Sequence, residues 1–420
     1  MNTLKITVKE LFFYLLVFTL VAESILKYIN SAWVSNEYGT VISNTGKVMA
    51  EWKIAQIILV VILFFISFPI KRNIITICGV FLIGIGSIWL AKDFNDITIF
   101  YSQTTSVTLI IIGMIFIIAQ NRSIYCCVEK LCPILAILYT VLCFFSAIDF
   151  MRTYSVARMA DGYIIEYFSF GLFMTGIWCE FAGKSKRNTV LIYLCCFMLI
   201  YSSIIIASRG WMIQSVLLFI FCYLSFSNKR LRSRIFRILF LIVLMYIVYR
   251  IMQYFLGNQI EYLFARFSED TRSNQIETFF QQVPLSKLMI GQGVDASYIF
   301  GRKGSYKYID NQFLFIMFRY GILPVVLYVF PFVYSFIKTG KKNGIFYWIK
   351  RNFVLIMWLL AMGGLSIYYV IKLDVMQVFL FVSTIGGIMY SDRSVLIKNN
   401  NSTEKVLENG NLQYSLNREL

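Results

Sequence analysis

The chain has 420 residues, 59% of them hydrophobic and only 15% charged, with a mean hydropathy of +0.70. Soluble domains carry about 25% charged residues, so a soluble globular protein is excluded and a polytopic membrane protein is indicated. The formal net charge is +17 and histidine is absent, which removes the commonest metal ligand and the commonest general base.

About 12 apolar runs follow one another, each roughly 18–25 residues long and able to cross a bilayer as a helix. Their approximate bounds are 10–28, 53–70, 74–91, 104–120, 131–149, 163–182, 189–206, 210–226, 236–256, 311–337, 352–370 and 374–390. The first run, Leu11 to Ile29, is followed by no small-residue cleavage site and is expected to be an uncleaved anchor. The expected fold is all-α: a multi-span domain over 1–390, with a large outward-facing loop at 257–310, and a polar cytoplasmic tail at 391–420. The nine cysteines lie almost all inside apolar runs and form no Cys-x-x-Cys pair, so they read as small buried hydrophobes.

Every second connector is short and basic. Lys71-Arg72, Arg122 with Lys130, Lys184 with Lys186-Arg187, Lys229 to Arg237, and Lys338 to Arg351 fall on one side. By the positive-inside rule that side is cytoplasmic, together with both termini. The positive charge then reflects topology and attraction to anionic lipid, not nucleic-acid binding.

Arginines on the opposite side are not required by topology. They are Arg152 and Arg158 between Asp149 and Gly162, Arg209 in the very short Ala207-Ser208-Arg209-Gly210 hairpin, Arg250 near a span end, and Arg266, Arg272 and Arg302 in the long loop. Arg319 is expected eight residues into the span 311–337, about 12 Å deep. A buried arginine costs a few kcal/mol unless it is compensated. One source of compensation is a set of ion pairs with Asp149, Asp161, Glu166, Glu261, Glu269, Asp270, Glu277, Asp295 or Asp310. The other is an anionic ligand, since guanidinium forks match phosphate oxygens bidentately.

Within the long loop, Thr271 or Asn274 can cap a helix whose stripe is Ile276, Phe279, Phe280 and Val283, stopped by Pro284. Such a helix suits the membrane interface or packing on the bundle. Gly291 and Gly293 form a Gly-x-Gly that reads as a tight turn or as a close backbone approach to a ligand.

In order, Ser208-Arg209-Gly210, the spaced Arg266 and Arg272, Pro284-x6-Gly291-x-Gly293, and Asp310-Asn311 before a helix ending in Tyr320-Gly321 resemble the O-antigen polymerase and ligase superfamily, including Wzy-type capsule and exopolysaccharide polymerases. Arg158-x-x-x-Gly162 resembles that family's first-loop arginine motif. The resemblance covers about residues 150–330. It implies a GT-C-like glycosyltransferase of the bacterial cytoplasmic membrane, multi-pass, acting at its outer face. The substrate implied is undecaprenyl-diphosphate-linked oligosaccharide, used without metal or other cofactor, with a chain-length regulator as a possible partner. Ligases of the superfamily carry a histidine where this chain has Asp310-Asn311, which favours a polymerase of O-antigen (lipopolysaccharide), capsule or exopolysaccharide.

The roles that follow are these. Arg209, Arg266 and Arg272 bind the donor diphosphate, and Asp310 is the first candidate base, with Asp161 and Glu269 in reserve. Arg158, Arg250, Arg319, Gly291, Gly293 and Asn311 contact substrate. The competing readings are a ligase-type glycan transferase and a flippase or transporter. A transporter is expected to place charges mid-span in both halves, whereas here the spans outside 150–330 carry little more than Glu23 and Lys372 to Asp374.

Overall fold

The computed structural model describes residues 6–35, 41–44, 50–68, 71–93, 106–154, 159–181, 186–226, 246, 250, 253–254, 256–265, 271–301, 304–340, 344–365 and 372–390. The run expected at 236–256, the tail 391–420, Arg158 and Arg266 lie outside these residues, in the first case almost entirely.

Helices follow in sequence order: α1 (Val8–Ile29), α2 (Ala50–Ile66), α3 (Ile74–Asp93), α4 (Ser106–Ile118), α5 (Arg122–Thr153), α6 (Tyr163–Phe181), α7 (Lys186–Ile205) and α8 (Arg209–Ser225). After a helical stretch at 256–265 come α9 (Thr271–Gln282), α10 (Leu285–Ile290), α11 (Gln312–Tyr320), α12 (Ile322–Gly340), α13 (Gly344–Leu360) and α14 (Val375–Tyr390). Among the described residues, five helices are long and apolar enough to cross a membrane and five more apolar helices are shorter. The chain is a multi-pass, mainly helical membrane protein.

It is not purely helical. A small sheet joins β1 (Ala32–Ser35), β2 (Val41–Asn44) and β3 (Met159–Asp161), with β2 antiparallel to β1 and parallel to β3. A second pairs β4 (Tyr298–Ile299) with β5 (Ser305–Tyr306).

Packing follows from side-chain size. α3 and α4 approach backbone to backbone, since a Cβ on Gly79 would lie 2.8 Å from the Gly113 carbonyl oxygen. Phe168 of α6 stacks on Trp211 of α8 at 4.4 Å, and Phe221 of α8 on Phe353 of α13 at 3.9 Å. Eight of the nine cysteines are buried.

Two expected spans are redrawn. The run 311–337 is two helices, because Gly321 (φ 89°, ψ 175°) takes backbone that only glycine adopts easily. The run 352–370 begins earlier, at Gly344, and passes into a π-turn at Ala361–Leu365.

The two ends of the bundle differ. At one end, basic side chains meet helix-end groups. Lys71 donates to the Gln120 carbonyl at 3.1 Å, Lys338 to the Ile388 carbonyl at 2.5 Å, and Lys9 to the Asn121 amide oxygen at 3.2 Å. Lys71 and Lys338 complement the negative ends of α4 and α14. Arg351 pairs with Glu180. At the other end sit the sheet β1–β3 and the segment from α9 to α11, here called the cap. Trp89, near the end of α3, packs edge-on against Tyr320 of α11 and ties the cap to the bundle.

Candidate functional site

The cap has a core of its own: Phe279, Val283, Leu288, Ala296, Tyr298, Ile309, Phe315 and Phe318. Of the expected stripe, Phe279 on α9 and Val283 just past its end are buried, while Phe280 is exposed. Gln282 holds β4 through both polar ends of its amide. It donates to the Ile299 carbonyl and accepts from the Ile299 N–H, each at 2.8 Å.

Gly291 and Gly293 serve this architecture. Gly291 (φ 88°, ψ 160°) ends α10, with its N–H donating to the Lys287 carbonyl at 2.9 Å. The next N–H groups cap α11: Gln292 donates to the Phe318 carbonyl at 2.9 Å and Gly293 to the Arg319 carbonyl at 2.8 Å. A Cβ on Gly291 would lie 2.6 Å from Gly321 N. The close approach that the Gly-x-Gly permits is made to the protein's own backbone.

Asn311 is the N-cap of α11. Its side-chain oxygen accepts from the N–H groups of Phe313 (3.1 Å) and Leu314 (3.2 Å), and its amide donates to the Gly363 carbonyl at 3.3 Å. Asp310, half-buried beside it, donates its backbone N–H to the Gln275 side chain at 3.1 Å. Burial raises the Tyr298 and Tyr306 hydroxyls above the ordinary tyrosine range, and the Asp310 carboxylate adds to both shifts.

Arg319 is buried but is not deep inside a span. It belongs to the short cap helix α11, stacks on Phe315 at 4.3 Å and reaches the Lys307 carbonyl at 3.4 Å. Asp310 and Arg319 stand at opposite ends of this helix, with backbones roughly 13 Å apart. Arg250 is exposed and donates to Gln253 at 3.2 Å. Arg272 is the second residue of α9, and its side chain lies outside the described residues.

Arg209 is the first residue of α8 and is half-buried. The hairpin before it is tight: Ala207 has φ 53°, and Ser208 makes no side-chain cap bond. A cation in the first turn opposes the helix dipole, so an anion placed there would be favoured twice, by the guanidinium and by the helix end. Gln259 donates to the Ile205 carbonyl, which sets the stretch 256–265 against this hairpin.

Sequence reasoning missed a second polar centre, at the cap end of the bundle. Lys27 pairs with Glu23 (2.9 Å) and Glu166 (3.1 Å), Lys53 pairs with Glu23 (2.7 Å), and Lys372 pairs with Glu166. Gln56 donates to Glu23 at 2.7 Å, and Lys53 also donates to the Leu373 carbonyl at 3.2 Å. These side chains are 5–19% exposed. They join α1, α2, α6 and the entry to α14. Among the described residues, the partners of Glu166 are thus lysines. Asp149 accepts from Trp33 at 3.0 Å, and Asp295 pairs with Lys307 at 2.9 Å. The signal in sequence was Glu23 and Lys27, four apart inside an apolar run.

The cap also holds a cleft of about 430 Å³ whose lining includes Gln282, Lys287, Gln292, Ser297, Tyr298 and Ser305. Amides and hydroxyls are groups that engage sugar hydroxyls. Compared with known family models, curated proteins and solved structures, the chain matches none.

Proposed function

We propose that the protein is a surface-polysaccharide polymerase with a GT-C-like bundle of about 12 spans. It would sit in the bacterial cytoplasmic membrane with both termini inside and the cap outside. It transfers a growing glycan from undecaprenyl diphosphate to a lipid-linked repeat unit, and a chain-length regulator is a candidate partner. The observation that carries the reading is the self-folded cap with a sugar-compatible cleft, seated on one end of a membrane bundle. The gathering of Lys9, Lys71 and Lys338 at the opposite end supports the orientation.

In this reading, Arg209, Arg266 and Arg272 neutralise the donor diphosphate as the bond from its anomeric carbon breaks. The acceptor hydroxyl oxygen forms the new glycosidic bond, and its proton passes to a carboxylate, Asp310 first. Undecaprenyl diphosphate leaves. Arg158 holds the acceptor diphosphate, while Arg250 and Arg319 assist at the substrate. The roles of Asn311, Gly291 and Gly293 narrow to shaping the cap.

The lysine–glutamate network favours a second reading, a flippase or other transporter, because buried charges among spans often mark a transport path. Glu23, Lys27, Lys53 and Glu166 stand within two turns of their helix ends, and Lys372 just precedes α14, which suits a staple better than a mid-membrane site. Deleting the gene separates the two readings. A polymerase leaves single repeat units, lipid-linked or transferred, and no long ladder. Repeat units trapped on the cytoplasmic leaflet would mark a flippase.

A further inference from the structure

α10 is built inside out for a helix in water. Of its apolar side chains only Leu288 is buried, while Leu285, Met289 and Ile290 are 70%, 57% and 76% exposed. Three large hydrophobes on one six-residue helix are not scattered singly, and Ile299, 65% exposed, stands at the same cleft as Lys287.

What covers them follows from where α10 is held. Gly321 presses on the carbonyl oxygens of Met289 and Ile290, each 2.8 Å from where its Cβ would be. The chain enters the apolar helix α12 one residue later, at Ile322. Leu323 and Val326, in the first turns of α12, are 51% and 55% exposed, and Val333 and Ile337 are exposed farther along. α12 is one of the helices apolar enough to span, so these side chains face acyl chains. The Gly291–Gly321 contact therefore holds the exposed residues of α10 beside the first turn of α12.

We infer that α10 lies in the membrane interface, with Leu285, Met289 and Ile290 immersed among the acyl chains of the leaflet on the cap side. Lys287, exposed between them, reaches back to the headgroups. Its occupant is therefore lipid, not a protein partner. Immersion holds the mouth of the cleft at headgroup depth, where the sugar of a lipid-linked substrate travels. Only this last consequence rests on the polymerase reading.

The test is tryptophan fluorescence of the full-length protein in vesicles of phosphatidylcholine and phosphatidylglycerol, with and without brominated acyl chains. Ile290→Trp and Leu285→Trp are compared with Glu277→Trp on the exposed face of α9, each read as the difference from the parent with its seven tryptophans. Brominated lipid should quench the added signal at 290 and 285 and leave that at 277 unchanged, and aqueous iodide should do the reverse. Iodide quenching at 290 and 285 equal to that at 277, with no bromine effect, overturns the inference. So does a blue-shifted signal that neither quencher reaches, which would mean a protein partner or a second copy covers the face. A variant that fails to fold is replaced by Met289→Trp on the same face. No activity enters the readout, so failure of the polymerase reading leaves this result standing.

Discussion

Replacing Gly291 with alanine should unlatch the cap. At φ 88° and ψ 160° the backbone lies where glycine alone is comfortable, which costs about 1–3 kcal/mol for alanine. The new Cβ would stand 2.6 Å from Gly321 N and Tyr320 C and 2.7 Å from the Arg319 carbonyl oxygen. All three are backbone atoms and none can rotate aside, so overpacking adds about 1–3 kcal/mol. The two N–H bonds that cap α11 are strained with it, each contributing about 0.5–1.5 kcal/mol. A loss of at least ~2 kcal/mol in cap stability follows. Gly301→Ala is the control: φ is 64° and none of the described residues comes within 4 Å of a Cβ there, so the left-handed penalty of about 1–2 kcal/mol is the cost expected. Limited proteolysis of the protein in lipid nanodiscs reads the difference, because cleavage tracks the open population when closing is fast. Gly291→Ala should be cut between 283 and 293 at least about tenfold faster than the parent, and clearly faster than Gly301→Ala. Equal cleavage of Gly291→Ala and the parent would refute the back-to-back packing of Gly291 and Gly321.

Glu166→Gln strips Lys27 and Lys372 of a shared buried partner and should cost about 3–5 kcal/mol, seen as a lowered thermal midpoint in detergent. Adding Lys372→Met should restore part of it, and strict additivity of the two changes would argue against the pairing. Because burial raises the Tyr298 hydroxyl, the native cap holds its proton after the unfolded chain has lost it. Protease resistance of the cap should therefore be unaffected by this group up to about pH 10 and should decline above it, less steeply in Tyr298→Phe. Arg209→Lys and Arg272→Lys should keep normal membrane levels yet lose most polymerisation, because lysine lacks the bidentate fork. Normal ladders in both would return these arginines to ordinary ion pairing. A single cysteine introduced at Gln281 should label from outside intact cells, and labelling only after permeabilisation would reverse the topology.

The helical bundle was legible because long apolar runs separated by basic connectors leave few alternatives. The break at Gly321 was legible only through the resemblance, whose helix ends in Tyr320-Gly321, since hydropathy alone carries the run past Arg319 and Gly321 to Val329. That break moved Arg319 from a deep span into the cap. The capping role of Asn311 and the turn at Gly291 followed standard local chemistry, but their neighbours at Gly363 and Gly321 are distant in sequence. The lysine–glutamate network was hidden for the same reason: Glu23 and Lys27 are a local pair, while Glu166 and Lys372 join them from far along the chain. Strands of two to four residues, such as β3 and β4, give too short a period to read.

The central claim is glycan transfer between two lipid-linked units, and the most direct measurement is reconstitution. Purified protein in vesicles receives polyprenyl-diphosphate-linked repeat units from its own source, with no nucleotide sugar. A polymerase should give a ladder of lengthening glycan and release one polyprenyl diphosphate per unit added, both lost in Arg209→Lys. Repeat units that stay single while equilibrating between the two leaflets would contradict it and would make the protein a transporter.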